Sequence, residues 1–255
     1  MTHFQLPLST ATIPEALAAH GYALLTPERL SSELGLASEE LASWGSSWER
    51  LPKDPYLRDG GHYRSRRHSC FVQHLSERRL AMTAQRAHWQ PTAYNALHGG
   101  LERWFAPIEQ QLVASLAWSK LLCGLGEHFA TLTATEHWYI EAHQFRIDTA
   151  EGIGRPTPEG AHRDGVHYVA VLLFDRRNVR GGETRVFEAD GNAGLRFTMV
   201  DAFTTLLLDD ARVIHETTPI QPDGALGTRD TLVLTYRASG FQAPSDTESQ
   251  ARAPD

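Results

Sequence analysis

Ala161–Tyr168 reads AHRDGVHY, and an apolar run that begins inside it, Val166–Asp175 (VHYVAVLLFD), reads as a strand. In an extended or turn segment alternate side chains share a face, so His162 and Asp164 project together while Arg163 points away. An imidazole and a carboxylate set side by side are two ligands for a divalent first-row metal. The third should be a histidine brought in by a distant strand. His215, in ARVIHETTPI, follows the apolar run Thr205–Leu208 and fits that place. Two histidines and one carboxylate on one side of an ion leave coordination positions open for reactants.

Outward from this pair, the following chain is almost wholly β. Arg176–Gly182 reads as a turn. Glu183–Glu188 (ETRVFE), Leu195–Val200 (LRFTMV), Ala202–Asp209 and Arg229–Arg237 (RDTLVLTYR) read as short strands between turn residues. Ahead of the pair, Glu151–Gly160 (EGIGRPTPEG) is a loop and Glu136–Asp148 (EHWYIEAHQFRID) a strand. On that strand Gln144 and Arg146 share one face, and His143, Phe145 and Ile147 the other. Thr92–Leu125 reads as the longest helical region, with Leu97, Leu101, Trp104, Phe105, Ile108, Leu112, Leu116 and Leu122 on its apolar side. Gly99-Gly100 and Pro107 should break or kink it. Nearer the start, Ile13–His20 is a short helix closed by Gly21, Gly21–Leu25 a strand, and Leu41, Trp44 and Trp48 a helical core stripe. Short strands after a helical front end indicate a β-rich α+β fold, a sandwich or barrel with helices packed outside.

Composition narrows the function classes. The chain has 255 residues, 41% hydrophobic and 22% charged, as in ordinary globular proteins. Its 24 basic and 31 acidic residues give a formal net charge of −7, which argues against a nucleic-acid-binding surface. Cys70 and Cys123 imply no disulfide framework. No apolar run approaches a membrane span. The opening MTHFQLPLSTAT has no basic segment followed by an apolar core, so no secretory signal is read and a cytoplasmic protein is expected. Gln242–Asp255, rich in Ser, Ala, Asp and Pro, is expected to be a disordered tail.

One further segment carries unusual charge. After the turn Asp59-Gly60-Gly61, His62–Phe71 reads HYRSRRHSCF. As a strand it puts Arg64 and Arg66 on one face and Arg67 on the other. A solvated basic edge strand has this pattern, and so does a wall that receives a carboxylate.

His162-x-Asp164, then His215, then Arg229 fourteen positions on, is similar to the 2-oxoglutarate/Fe(II)-dependent dioxygenases. The likeness extends to the branch that hydroxylates free aliphatic amino acids, bacterial L-isoleucine dioxygenase among them. It is carried by DPYLRDGGHYRSRRHSCF, EAHQFRI, HRDGVHYVAVLLFDRRNVRGGETRVF and HETTPIQPDGALGTRDTLVLTYR. The resemblance implies a double-stranded β-helix (a cupin-like jelly roll) with N-terminal and flanking helices. It implies one dioxygenase domain over residues 1–241, its helical and β front part at 1–134 and its jelly-roll core at about 135–241. It implies Fe(II) held by His162, Asp164 and His215, 2-oxoglutarate and O2 as cosubstrates, and succinate and CO2 as co-products. The far carboxylate of 2-oxoglutarate would go to Arg229, with Thr231 on the same face of that strand. A free amino acid would be held by Arg64, Arg66 or Arg67, with Gln144 and Arg146 as further candidates. Related halogenases have a small residue where Asp164 stands, so hydroxylation is expected. Two other classes use similar metal residues: a cupin-like isomerase or hydrolase, and a non-catalytic metal-binding β-barrel. Neither needs a cation at Arg229.

Overall fold

The computed structural model describes residues 11–95 and 97–244. Helix α1 (Ile13–His20) forms because both orphan ends are met locally. The Thr12 hydroxyl accepts from the Glu15 amide, the Glu15 carboxylate accepts from the Thr12 amide, and Gly21 ends the helix at φ 75°. The chain passes straight into β1 (Tyr22–Leu25), then α2 (Pro27–Leu34), α3 (Ser38–Ala42) and a 3-10 turn at Gly45–Arg50. β2 (Arg64–His74) and β3 (Arg79–Met82) form a hairpin, and α4 (Gln110–Val113) and α5 (Leu116–Ala130) lead to β4 (His137–Asp148). The rest is β5 (Tyr168–Arg177), β6 (Val179–Gly181), β7 (Thr184–Glu188), β8 (Gly194–Phe197), β9 (Thr205–Asp209), β10 (Val213–Thr217), β11 (Ile220–Pro222) and β12 (Thr228–Arg237).

The major sheet has seven antiparallel strands in the order β1-β9-β5-β12-β4-β2-β3, so strands from both ends of the chain share it. Facing it are the three-stranded sheet β10-β7-β8 and the pair β11-β6. This is the β-rich α+β double-stranded β-helix expected from the sequence.

Alternation divides the major sheet into two faces. Trp138, Ile140, Leu232, Leu234 and Tyr236 point to the helices and join Trp118, Leu121, Leu125 and Phe129 of α5 in the main core. Burying a side chain of this size is worth roughly 1.5–3 kcal/mol. Polar tips pin the helix to the sheet: Trp138 Nε1 donates to Gly126 O at 2.8 Å, and the Tyr236 hydroxyl to Leu122 O at 3.0 Å. Gly126 lets the helix approach this closely, since a Cβ there would displace the Gln73 side chain, 1.9 Å away at Oε1. The opposite face looks between the sheets. Val169, Leu173, Val186 and Leu208 pack it at one end, and the other end opens into a cavity. Among the described residues no helix is long and apolar enough to cross a membrane.

Three expectations are corrected. The long helix over Thr92–Leu125 does not exist: residues 83–95 and 97–109 are irregular, and α5 begins only at Leu116, itself exposed like Trp104. Gly99-Gly100 and Pro107 stop a helix, and the segment instead turns polar His88, Gln90, Asn95 and Arg103 into the cavity. The expected turn Arg176–Gly182 contains strand β6, with Asn178 supplying the bend at φ 50°. The expected disordered tail starts too early, because Gln242 is buried and hydrogen-bonded. Residues 245–255 lie outside the described residues, as does the opening stretch Met1–Thr10.

Candidate metal centre and cavity

His215 lies mid-strand on β10, and His162 pairs with it across the sheet edge. His162 N donates to His215 O and His215 N to His162 O, both at 3.0 Å, so the two rings come to 4.7 Å between centroids. Asp164 follows on the same side. Its Oδ1 is 3.8 Å from His162 Nε2 and its Oδ2 3.8 Å from His215 Nε2. One donor atom from each of the three residues lies within 4.8 Å of the others.

The surroundings fix His162 and Asp164, while His215 Nδ1 has no hydrogen-bond partner among the described residues. His162 Nδ1–H donates to Gly160 O at 2.9 Å, leaving the Nε2 lone pair turned toward Asp164. The Asp210 carboxylate accepts from the amides of Asp164, Gly165 and Val166 at 2.9, 2.7 and 3.0 Å. That tight loop needs Gly165, at φ 74° with Tyr94 Cδ2 only 2.5 Å from where a Cβ would stand. Gln90 Nε2 donates to Asp164 Oδ1 at 3.0 Å, and Gln242 Nε2 to the carbonyls of Asp164 and Gly165 at 2.9 Å. Burial works against a charge on His162, but the Asp164 and Glu159 carboxylates outweigh it and raise its pKa. Burial keeps His215 neutral, well below its ordinary value. Two imidazoles and a carboxylate with donor atoms this close together fit a divalent metal.

The cavity runs from this point along the inward face of the major sheet. Register places Arg64, Ile147 and Arg229 in one row across β2, β4 and β12, and Arg66, Phe145 and Thr231 in the next. All six line the cavity. Arg229 is 3% exposed, yet its Nε and Nη2 have no hydrogen-bond partner among the described residues. Burial, reinforced by Arg176, pushes its pKa down to about 10. The acids nearest in sequence are taken elsewhere: Asp230 pairs with Arg146, and Asp223 faces Arg180. Arg64 Nε donates to the buried Asp54 at 2.8 Å and leaves Nη2 without a partner. Arg66 lies between the rings of Phe105 and Phe145, 3.8 and 4.4 Å from their centroids, and donates to His143 Nδ1 at 2.7 Å.

Three candidate substrate residues point away from the cavity, which corrects their assignment. Arg67 donates to Pro107 O at 2.8 Å, and Gln144 to Ser47 Oγ at 2.8 Å. Arg146 grips Asp230 and Glu49 with bonds of 2.7–2.9 Å. Alternation had separated these residues from their neighbours; only the sheet stacking decides which face is inward.

Other cavity residues escaped the sequence reading. Arg103 donates to Gln90 Oε1 at 3.0 Å and so reaches Asp164 through one side chain. His68, His88, Glu141 and His143 form a second buried cluster with donor atoms within 4.8 Å of one another. Glu141 Oε2 is 2.6 Å from His88 Nδ1, 3.0 Å from His68 Nε2 and 3.7 Å from His143 Nε2. Because Arg66 can only donate, His143 Nδ1 must accept, and the proton of that ring sits on Nε2, facing Glu141. Burial drives His88 down to about 3 and His143 well below its ordinary value. Burial also opposes charge on Glu141, but the His88 and His68 contacts hold it well below the usual carboxylate range. The cluster is a carboxylate wrapped in imidazole N–H groups, with no lone pair left on His143 for an ion. The available signal was the i, i+2 pair Glu141 and His143, with His68 opposite His143 in register.

Residues 45–235 match the family model described as 2OG-Fe dioxygenase. No curated protein matches the chain. Among solved structures, a bsmA homolog from Methylobium petroleophilum PM1 is 54% identical, covering 94% of this chain and 98% of its own, with a TM-score of 0.90. IDO from Bacillus thuringiensis shares the fold at 16% identity and a TM-score of 0.74, covering 89% of this chain and 98% of its own. The Fe(II)/(alpha)ketoglutarate-dependent dioxygenase TqaL does so at 18% identity and a TM-score of 0.67, covering 91% and 90%.

Proposed function

The chain belongs to the 2OG-Fe dioxygenases, with Fe(II) and 2-oxoglutarate as the cofactors this implies, and from that premise we propose that it hydroxylates a free aliphatic L-amino acid of the leucine, isoleucine or methionine type. His162, Asp164 and His215 would hold the metal, Arg229 and Thr231 the far carboxylate of 2-oxoglutarate, and Arg64 and Arg66 the carboxylate of the amino acid. Bound Fe(II), with 2-oxoglutarate and O2, supplies the oxidising power that replaces a C–H hydrogen by hydroxyl and yields succinate and CO2.

The observation that carries this reading is the presence of two separate buried cation sites on one cavity wall. Arg229 has two donor atoms without partners, and Arg64 with Arg66 stands two strands away across β4. A guanidinium buried with unused donors is matched by a bidentate carboxylate, and 2-oxoglutarate accounts for only one of the two sites. Val171, Val233, Phe145 and Ile147 give the same cavity an apolar stretch suited to an aliphatic side chain. The chain's own task is to orient that side chain and exclude water. An isomerase, a hydrolase or a structural metal site leaves Arg229 without a purpose. With Asp164 present as a carboxylate, the product is hydroxylated and not chlorinated.

A panel of free L-amino acids, assayed for succinate formed only when the amino acid is present and for a product heavier by one oxygen, tests the reading. At least one aliphatic member should respond. Equal use of the corresponding methyl ester, or a response from none of the panel, would overturn it.

A further inference from the structure

We propose that Glu141 anchors the ammonium group of the substrate, a role that rests on the amino-acid reading above and deepens it. Glu141 projects from the inward face of β4, in register with Cys70 and Thr235. Its two oxygens are treated differently. Oε2 receives the N–H groups of His88 and His68 and faces that of His143. Oε1 accepts no hydrogen bond among the described residues and belongs to a side chain of the cavity wall. Two imidazoles thus hold the carboxylate by one oxygen, with the His143 ring 3.7 Å from it, and leave the other oxygen free for the cavity.

The neighbouring cation sets what fits between. Arg66 is separated from Glu141 by one imidazole, through contacts of 2.7 Å to His143 Nδ1 and 3.7 Å from His143 Nε2. An α-amino acid carries its carboxylate and ammonium on one carbon. It can therefore meet a cation and an anion that line the same cavity wall, as Arg66 and Glu141 do. A monocarboxylate without the amine would fill the Arg66 end and leave Glu141 desolvated and unmatched, at a cost in affinity. Glu159 is the rival anion of the cavity, but it sits 3.6 Å from His162 Nε2, at the metal end.

The test is calorimetric binding to the Fe(II)- and 2-oxoglutarate-loaded protein without O2, using L-leucine, 4-methylpentanoic acid (leucine without its amine) and isopentylamine (leucine without its carboxylate). The wild type should bind leucine at least about 30-fold more tightly than 4-methylpentanoic acid. Glu141→Gln should erase that preference by weakening leucine and leaving 4-methylpentanoic acid unchanged. Glu141→Asp should restore part of it, and Glu159→Gln should leave it intact. Absence of the preference in a wild type that binds leucine, or its survival in Glu141→Gln, overturns the proposal. If Glu141→Gln does not fold, the histidine side-chain 15N signals of the wild type decide. Those of His68 and His88 should shift with leucine and isopentylamine but not with 4-methylpentanoic acid, and any other pattern overturns the assignment. If the wild type binds no amino acid, the substrate reading falls. Isopentylamine then judges Glu141 alone: binding that Glu141→Gln abolishes keeps the cation site, and no binding removes it.

Discussion

Two groups of histidines and a carboxylate stand along the same cavity, built in opposite senses. At His162, Asp164 and His215 the carboxylate stands 3.8 Å from each imidazole, and His162 spends its Nδ1 proton on a backbone carbonyl. The space between the donors is kept open. At Glu141 the carboxylate is closed on by His88 at 2.6 Å and His68 at 3.0 Å, while Arg66 forces the proton of His143 inward. Both groups set imidazoles around one carboxylate; the placement of protons differs. One set offers lone pairs to a cation, and the other offers protons to an anion.

The largest effects should come from breaking the first group. Replacing His162, Asp164 or His215 by Ala should abolish amino-acid-dependent succinate formation while circular dichroism stays that of the wild type, since the core strands do not rest on these side chains. Near-wild-type turnover in any two of the three, at equal iron loading, would remove the ligand assignment. Next come the two cation sites, which should separate kinetically. Arg229→Ala leaves a bound carboxylate half matched, a loss of about 2–5 kcal/mol. The KM for 2-oxoglutarate should rise by tens of fold or more, with a much smaller change for the amino acid. Arg66→Ala should do the reverse. Smaller again is the support of Asp164: Gln90→Ala removes one bond to Oδ1 and should weaken Fe(II) binding about 10–100-fold, read by metal titration. Smallest in function are the outward arginines. Arg67→Ala and Arg146→Ala should leave both KM values within about two-fold, although Arg146→Ala should cost on the order of 2 kcal/mol in a denaturant melt, because buried Asp230 loses its partner.

The first group was legible in the sequence because its information is local. The i, i+2 spacing of His162 and Asp164 needs only an extended backbone, and the later short strands gave the fold and a place for His215. Arg64 with Arg66, and Arg67 on the opposite side, followed from the same alternation. The second group was not legible because it is assembled by register. Glu141 and His143 are neighbours on β4, but His68 arrives from β2 and His88 from an irregular segment. That segment also carries Leu97, Leu101, Trp104 and Phe105 at spacings that imitate a helix. The same gap misassigned Arg146 and Gln144: a strand's two faces can be told apart from sequence, but which one the second sheet covers depends on packing.

Anaerobic titration of the metal-free protein with Fe(II), counting ions per chain in the wild type, His215→Ala and His88→Ala, addresses the contrast most directly. One ion per chain is expected in the wild type and in His88→Ala, with tight binding lost in His215→Ala. Two tight ions in the wild type, or an ion lost with His88 and kept without His215, would contradict it.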